Sequence, residues 1–346
     1  MEKKLTDQIV ETAQKKPVKK EAPRTLSSGS FLLDLVLGGG FPIGKIVNLV
    51  GDKSTGKTLL AMEIIAKARK ELGDKLKWFY NDAEAGFSFD TTDLYGFNIL
   101  NESEDTYSET IEDFEADLNT RLNKLKDDEY LIYVLDSFDA LTTIAEKERA
   151  EERRKALAAG KEPKGTYAMD KAKFASEFFR LQCKKIKKKN CLLIIVSQVR
   201  DNIGVMFGEK YKRSGGKSLD FYASQILWLA EAEKHKKKDI PVGITIKAIA
   251  KKNKYGKPFR KCFVNMLFDY GIDDIKTNID YLYDLKTNTG KQTNPKVKWN
   301  EVEYSPKGLI KFIEENNMEK ELMYEVAKKW DELELAISSQ ERKRRF

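Results

Sequence analysis

The segment Gly51–Thr58 has the residue types and spacing that most directly indicate chemistry. It has the sequence GDKSTGKT, which matches the pattern G-x-x-x-x-G-K-[ST], and it lies between an apolar run at 46–50 and a helix-forming run at 59–72. Main-chain N–H groups in such a loop surround phosphate oxygens, and the start of the next helix adds partial positive charge. The alternative, an ordinary turn with a chance lysine, is disfavoured because every fixed position matches. The residues predicted to bind a phosphate-bearing cofactor are Gly51, Asp52, Lys53, Ser54, Thr55, Gly56, Lys57 and Thr58.

Two of these residues have individual roles in the prediction. Lys57 is expected to reach the β- and γ-phosphates of a nucleotide, and the hydroxyl of Thr58 is expected to hold Mg²⁺. This assignment requires an aspartate nearby to complete the magnesium site, and water-activating groups on neighbouring strands.

Three further apolar runs end in polar residues that can act on the same phosphates. Glu84 follows LKWFY, Asp136 follows YLIYVL, and Gln198 follows CLLIIV. Because the carboxyl ends of parallel strands meet at one edge of a sheet, we expect these side chains to lie together. Asp136 is predicted to orient the magnesium shell, Glu84 to act as general base on the attacking water, and Gln198 to contact the γ-phosphate. The alternatives are a helix N-cap for Asp136 and an ordinary surface carboxylate for Glu84.

The elements that must position these residues follow from the periodicity. Apolar strands alternating with helical patterns predict an α/β fold with a mostly parallel, doubly wound sheet. Strand-like runs close in sequence predict antiparallel hairpins at one edge of that sheet, and two helical patterns near the end predict a small appended unit. Helices are expected at about 109–126 and 169–188, and residues 145–165 are expected to form a helix that runs into a loop. The strands of the hairpins are expected at 224–230, 242–250 and 259–268, and the terminal helices within 308–336.

Composition limits the classes of function. The chain has 346 residues, 41% of them hydrophobic, and no apolar run long enough to cross a membrane. The N-terminal segment lacks the apolar stretch of a signal peptide and the three cysteines are scattered, so a cytoplasmic protein is expected. His235 is the single histidine, which excludes histidine-based acid–base chemistry and most zinc sites. The net charge of +8 is compatible with nucleic-acid binding without establishing it.

Several longer strings resemble the bacterial RecA recombinase family. They are LSSGSFLLDLVLGGGFPIGKIVNLVGDKSTGKT, NDAEAGF, YVLDSFDAL and SQVRDNIGVMFGEKYKRSGGKSLDFYASQILWL, and the similarity spans most of residues 26–330. The loop at 51–58 occurs in many NTPases, whereas IGVMFG and SGGKSLDFYAS separate RecA-type recombinases from most other P-loop ATPases. The divergence is also compatible with a phage-encoded, UvsX-like homologue.

The resemblance implies roles for individual residues. Lys57 and Thr58 bind phosphate and magnesium, Glu84 is the catalytic glutamate, Asp136 is the Walker B aspartate, and Gln198 is the γ-phosphate sensor. The resemblance further implies that Lys252 and Lys254 reach across a filament interface onto the neighbour's ATP, and that Phe221 relays the nucleotide state between subunits. Two lysines on a solvated edge strand are the alternative for that pair.

The glycine-rich stretch 201–216 matches the second DNA-binding loop of the family, and residues about 161–171 occupy the place of the first. The glycines of the 201–216 stretch predict a loop that is mobile until it binds DNA. Its lysines and arginines can contact DNA phosphates, and its apolar residues can insert between bases. A disordered active-site lid is the alternative. The residues predicted to bind DNA are Arg200, Ile203, Gly204, Val205, Met206, Phe207, Lys210, Lys212, Arg213, Gly215, Gly216 and Lys217.

The chain also departs from the family pattern. The expected adenine-stacking tyrosine after Glu84 is not evident, so the adenine contact stays unassigned. The region before 161–171 is a longer charged helix, and the basic ending ERKRRF replaces an acidic tail.

The resulting hypothesis is an ATP-dependent DNA recombinase that uses ATP and Mg²⁺. It is expected to form a homo-oligomeric helical filament on single-stranded DNA, to pair with homologous duplex DNA and to exchange strands, with no membrane partner. One alternative is a RecA-like annealing or mediator ATPase without strand exchange, and another is a P-loop ATPase that does not act on DNA. The predicted organisation is an N-terminal arm at 1–25, a RecA-like P-loop core at 26–272, a small C-terminal α+β domain at 273–335 and a basic tail at 336–346.

Overall fold

The structure, a computed structural model, describes residues 24–87, 90–100, 107–160, 170–201, 211–213, 216–285 and 295–338. Most of the predicted N-terminal arm, residues 161–169 of the predicted first DNA loop and the tail beyond residue 338 lie outside these ranges. So do the predicted DNA-binding residues Ile203, Gly204, Val205, Met206, Phe207, Lys210 and Gly215. Among the residues that are described, no helix is both long and apolar enough to span a bilayer.

Helices and strands alternate through the first two thirds of the chain. The helices are α1 Phe31–Leu37, α2 Lys57–Leu72, α3 Thr91–Tyr95, α4 Ile111–Lys124, α5 Ile144–Ala158, α6 Asp170–Lys188, α7 Gly216–Tyr222, α8 Asp274–Leu282, α9 Pro306–Asn316 and α10 Glu319–Ala336. The strands are β1 Thr25–Leu26, β2 Phe41–Pro42, β3 Lys45–Gly51, β4 Leu76–Asp82, β5 Tyr130–Asp136, β6 Cys191–Asp201, β7 Tyr211–Arg213, β8 Gln225–Lys237, β9 Ile240–Asn253, β10 Lys261–Leu267, β11 Gly271–Ile272, β12 Val297–Trp299 and β13 Val302–Tyr304.

The central sheet has the order β11-β10-β9-β8-β3-β6-β5-β4. The strands β4, β5, β6, β3 and β8 are mutually parallel, whereas β8, β9, β10 and β11 pair antiparallel. The α/β class and the mostly parallel sheet with antiparallel hairpins are therefore confirmed. The parallel arrangement places the carboxyl ends of β3, β4, β5 and β6 at one edge of the sheet.

The strand predicted at 224–230 forms the expected antiparallel hairpin with β9 and also connects that hairpin to the parallel strands. It is the first half of β8, which lies inside the sheet and pairs parallel with β3 from Val47 to Gly51. This half is apolar and covered on both faces, so it behaves as a core strand. The second half continues to Lys237 and, with the start of β9, forms an exposed hairpin. This hairpin carries a basic run, KHKKK, at 234–238.

The core consists of two apolar clusters, one on each face of the sheet. On β3, Val47 and Leu49 belong to one cluster and Ile46 and Val50 to the other, because successive strand residues point to opposite faces. Helices α1 and α2 cover the first face, and α4 and α6 cover the second. The uninterrupted apolar character of β3, β5 and β6 follows from this burial on both sides.

The C-terminal elements continue the first of these clusters. Leu309 and Ile313 on α9 and Leu322 and Val326 on α10 are buried within it. The end of α10 is also fastened by polar contacts, since Glu334 accepts hydrogen bonds from Lys257 and Arg260. The domain boundary at residue 272 stays a prediction.

Candidate nucleotide site

The loop between β3 and α2 is shaped by residues that need little space or a left-handed backbone. A Cβ on Gly51 would lie 2.5 Å from Thr55 Oγ1 and 2.6 Å from the main-chain oxygen of Leu229, so this position requires glycine. Ser54 and Gly56 have φ values of 58° and 79°. Consecutive turns of this kind direct main-chain N–H groups into a concave loop that suits an anion.

Lys57 is the first residue of α2 and is only 8% exposed. Its Nζ donates to the main-chain oxygen of Asp52 at 2.5 Å, so the side chain folds back across the loop. Burial lowers the pKa of Lys57, and the nearby carboxylates of Asp136 and Glu84 oppose that shift. A buried ammonium group is stable only beside an anion or other acceptors, and it is therefore suited to meet phosphate.

The side chains of Thr58 and Asp136 meet at the carboxyl end of the sheet. Thr58 Oγ1 donates to Asp136 Oδ2 at 2.7 Å, and the hydroxyl of Tyr80 donates to the same oxygen at 2.6 Å. Burial raises the pKa of Asp136, while these two hydrogen bonds lower it. A hydroxyl and a carboxylate this close are hard oxygen donors of the kind that Mg²⁺ prefers, so the residues fit the predicted magnesium site.

Glu84 and Gln198 are also brought together. Gln198 Nε2 donates to Glu84 Oε1 at 2.8 Å, and Ser137 Oγ donates to that same oxygen. Glu84 follows β4 and Gln198 lies on β6, so their contact crosses the end of β5. The predicted base and the predicted sensor are therefore one hydrogen-bonded unit next to Asp136.

Asp139 belongs to this group and was not singled out from the sequence. Its Oδ2 accepts a hydrogen bond from the main-chain N–H of Gln198 at 2.8 Å. Its main-chain oxygen accepts from Lys171 Nζ at 3.2 Å, and Lys171 also donates to the carbonyl of Leu141. Asp139 thus links the Gln198 strand to the first turn of α6. A second carboxylate three residues after Asp136 was the available signal.

A cavity of about 600 Å³ adjoins the predicted phosphate loop, Gly51–Thr58. Its wall opposite the loop is formed by Pro241, Ile244 and Phe268, together with Glu231 and Lys234 from the base of the exposed hairpin. This gives room and an apolar surface for a nucleoside beside the phosphate site. A cavity of about 880 Å³ is larger, but residues such as Trp78 and Leu131 place it at the amino ends of β4 and β5, on the opposite edge of the sheet.

The residues predicted to act across a subunit interface lie away from the phosphate loop. Strand register aligns Lys252 with Ile226 and Asn48, whereas Gly51 aligns with Leu229 and Ala248. Lys252 is therefore at the sheet edge opposite the one formed by the loop. Lys254, just beyond β9, is exposed at that same edge, and Phe221 is 72% exposed on α7.

Part of the glycine-rich segment is a strand rather than a loop. Residues Tyr211–Arg213 form β7 and pair antiparallel with Val199–Asp201, because β6 continues three residues beyond Gln198. The predicted DNA-binding residues within the described ranges are Arg200 on β6, Lys212 and Arg213 on β7, and Gly216 and Lys217 at the start of α7. The predicted sensor is therefore two residues from Arg200 on one continuous strand.

Comparison with known proteins identifies the family of the chain. Residues 1–273 match the RecA N-terminal domain. The chain belongs to the RecA family. The matched range includes Gly51–Thr58, Glu84, Asp136, Gln198 and Lys252.

Individual RecA relatives are distant. The chain is 31% identical to Protein RecA of a Methylobacterium species over 260 residues, which are 74% of this chain and 66% of that protein. It is 32% identical to Protein RecA of Thioalkalivibrio sulfidiphilus over 259 residues, 74% of this chain and 69% of the relative. The chain thus spans about two thirds of the length of these curated relatives. A solved structure of the RadB recombinase aligns with 72% of this chain and 98% of its own at 22% identity and a TM-score of 0.48.

Proposed function

We propose that this chain is an ATP-dependent DNA recombinase of the RecA family, acting in the cytoplasm. It binds ATP with Mg²⁺, forms a helical filament on single-stranded DNA, pairs that strand with homologous duplex DNA and exchanges strands. The observation that carries the proposal is the Gln198–Glu84 hydrogen bond. It joins the predicted water-activating carboxylate to the strand that continues directly into the predicted DNA-binding segment.

The phosphate loop and its neighbours divide the work of binding and hydrolysis. Lys57, which donates to the Asp52 carbonyl in this structure, would bind the β- and γ-phosphates, and Thr58 and Asp136 would hold magnesium. The ion neutralises charge on the phosphate oxygens when it is bound. Glu84 accepts a proton from the attacking water, and Ser137 keeps its carboxylate in place.

Nucleotide state reaches the DNA-binding segment through Gln198. Its side-chain amide can donate either to Glu84, as in this structure, or to a γ-phosphate oxygen. When the Gln198 amide changes its acceptor from Glu84 to the γ-phosphate, the end of β6 moves together with its partner strand β7. The Asp139 carboxylate on the main-chain N–H of Gln198 limits how far that strand can move.

A neighbouring subunit completes the site. Lys252, Lys254 and Phe221 lie at the sheet edge opposite the phosphate loop, so within one chain they do not face its own nucleotide. A head-to-tail contact between copies brings this edge to the next subunit's phosphate loop. Such heterologous contacts produce helical filaments when the rotation does not close a ring.

The nucleoside occupies the cavity beside the loop. Phe268, which is 49% exposed, and Ile244 provide an apolar surface for a base on one side of the phosphate site. We propose this surface as the adenine contact that the sequence left open.

Strand exchange with the purified full chain tests the proposal. With ATP and Mg²⁺, the wild type should transfer a labelled strand between homologous oligonucleotides, and Lys57→Met should abolish transfer. Lys70→Met, an exposed lysine further along α2, is the matched control and should retain it. Annealing without exchange by the wild type would favour the mediator alternative. Exchange by Lys57→Met at the wild-type rate would refute the role of the phosphate loop.

A further inference from the structure

Tyr80 is a buried residue of β4 that touches the candidate magnesium site without belonging to the phosphate loop. It is 1% exposed, and its hydroxyl donates to Asp136 Oδ2 at 2.6 Å. The strands β4 and β5 are adjacent and parallel, and Tyr80 pairs in register with Val134, two residues before Asp136. The Tyr80 side chain therefore extends along the sheet toward the end of β5, where Asp136 lies.

The hydrogen bonds to Asp136 are asymmetric. Both Tyr80 and Thr58 donate to Oδ2 of Asp136. Within the described part of the chain, no group donates a hydrogen bond to Oδ1. Two donors on one oxygen fix the plane and rotation of a carboxylate, leaving the second oxygen with a defined direction. Thr58 is itself a predicted magnesium ligand, so in the loaded site Tyr80 is the donor whose orientation does not depend on the ion.

The Tyr80 ring is held firmly enough to serve this purpose. It packs edge-to-face against Phe87 with ring centroids 5.0 Å apart. Phe87 is in turn fixed through its main-chain N–H, which donates to Asp82 Oδ2 at 2.7 Å. The segment after Glu84 therefore packs back onto the tyrosine and restrains it.

We propose that Tyr80 is a positioning residue for the divalent cation. It holds Asp136 so that Oδ1 faces the cation's coordination shell, and it thereby sets the affinity for Mg²⁺ rather than the affinity for the nucleotide itself. This inference rests on the proposed function, in which Asp136 serves a magnesium–nucleotide complex. Partners that orient metal-binding side chains commonly change metal affinity by 10- to 100-fold when they are removed.

The test is Tyr80→Phe in the full chain, because this change removes the hydroxyl and keeps the ring. Binding of Mn²⁺ in the presence of ADP is followed by electron paramagnetic resonance of the free ion, and the Mg²⁺ dependence of ATP hydrolysis is measured alongside it. We expect a roughly ten-fold weaker Mn²⁺ affinity. We also expect a correspondingly higher Mg²⁺ concentration for half-maximal hydrolysis, with the rate restored at high Mg²⁺. Nucleotide binding in the presence of a chelator should equal that of the wild type.

Tyr133→Phe is the matched control. Tyr133 is a fully buried tyrosine on β5 whose hydroxyl donates to a different carboxylate, Asp117 Oδ2, at 2.7 Å. It should leave Mn²⁺ affinity unchanged, and circular dichroism should show that both variants are folded. If Tyr80→Phe keeps the Mn²⁺ affinity of the wild type, or if both variants lose Mn²⁺ affinity equally, the inference about Tyr80 is overturned and the proposed function is not. A wild type that binds no Mn²⁺ with ADP would overturn the proposed function and this inference with it.

Discussion

The ammonium group of Lys252 donates to the main-chain oxygen of Phe221 at 2.9 Å. It also donates to the main-chain oxygen of Asp220 at 2.6 Å, so it caps the last turn of α7. A cation at a helix C-terminus satisfies carbonyls that lack helical partners and is stabilised by the helix dipole. One of the two lysines predicted to serve a neighbouring nucleotide is therefore engaged within its own subunit, next to the exposed Phe221.

Replacing Lys252 should affect the isolated subunit as well as the filament. Lys252→Met removes the cap of α7 and should lower the free energy of unfolding by about 0.5–1 kcal/mol. Lys254→Met, whose side chain is exposed beyond β9, should leave this free energy unchanged. Urea denaturation of both variants without nucleotide or DNA measures the difference. Equal stability of the two variants would contradict a capping role for Lys252.

Gln198→Ala should separate nucleotide binding from the DNA response. The variant removes the amide that donates to Glu84, and it leaves Lys57, Thr58 and Asp136 in place. We expect at most a few-fold weaker affinity for a non-hydrolysable ATP analogue, because one contact with the γ-phosphate is lost. We also expect loss of the increase in single-stranded DNA affinity that the analogue produces in the wild type. Fluorescence anisotropy with labelled DNA, with and without analogue, measures the DNA response, and isothermal titration calorimetry measures the affinity for the analogue.

Gln182→Ala is a control for that experiment, because Gln182 also donates to a glutamate, Glu115, but does so between helices. It should retain the analogue-dependent gain in DNA affinity. A normal gain in Gln198→Ala would exclude the proposed sensor.

Asp34 should make stability depend on pH in the mildly acidic range. Burial raises the pKa of Asp34 from 3.8 to about 6, although Ser27 and Ser28 donate hydrogen bonds to its carboxylate. Because the folded-state pKa lies above the unfolded one, folding favours the protonated form. The contribution of Asp34 to the free energy of unfolding is therefore fully present below pH about 4, and it is lost as the pH rises through about 6.

This pKa shift of Asp34 corresponds to at most about 3 kcal/mol in the free energy of unfolding, and to less where the side chain still contacts water. Asp34→Asn removes the titration, so the difference in unfolding free energy between wild type and variant should change between pH 4.5 and pH 7.5. Buried carboxyls that do not interact with Asp34 are present in both proteins and cancel in the difference, whereas Asp274, whose charge helps to raise the pKa of Asp34, does not cancel fully. A difference independent of pH would contradict the raised pKa.

Gly51→Ala should disrupt the phosphate loop through backbone contact. The added methyl group would lie 2.6 Å from the main-chain oxygen of Leu229, which cannot rotate away. We expect a loss of about 1–3 kcal/mol in the free energy of unfolding and loss of nucleotide binding. At Gly86 an added methyl group would meet no atom within 4 Å, so Gly86→Ala should be tolerated. Thermal unfolding and a nucleotide-binding assay compare the two.

Most elements of the fold were accessible from the sequence because their signals are local. Apolar runs predicted β3, β5 and β6, and the glycine spacing predicted the turn between β3 and α2. The run at 224–230 was correctly predicted to form an antiparallel hairpin with the next run, as β8 and β9 do, but an isolated apolar strand carries no record of its other neighbour. Its pairing with β3 depends on how the whole sheet is assembled.

Sequence alone determined the phosphate loop and the candidates Glu84, Asp136 and Gln198, since each is defined by residues adjacent to it in the chain. The tertiary structure decided which groups meet them. Tyr80 reaches Asp136 only because β4 is placed beside β5, and Phe268 lies near the phosphate loop only because β10 pairs with β9. Strand order and register also place Lys252 at the opposite edge of the sheet from Gly51. The physical reason is that such contacts join residues far apart in sequence, and their proximity is set by the packing of the sheet as a whole.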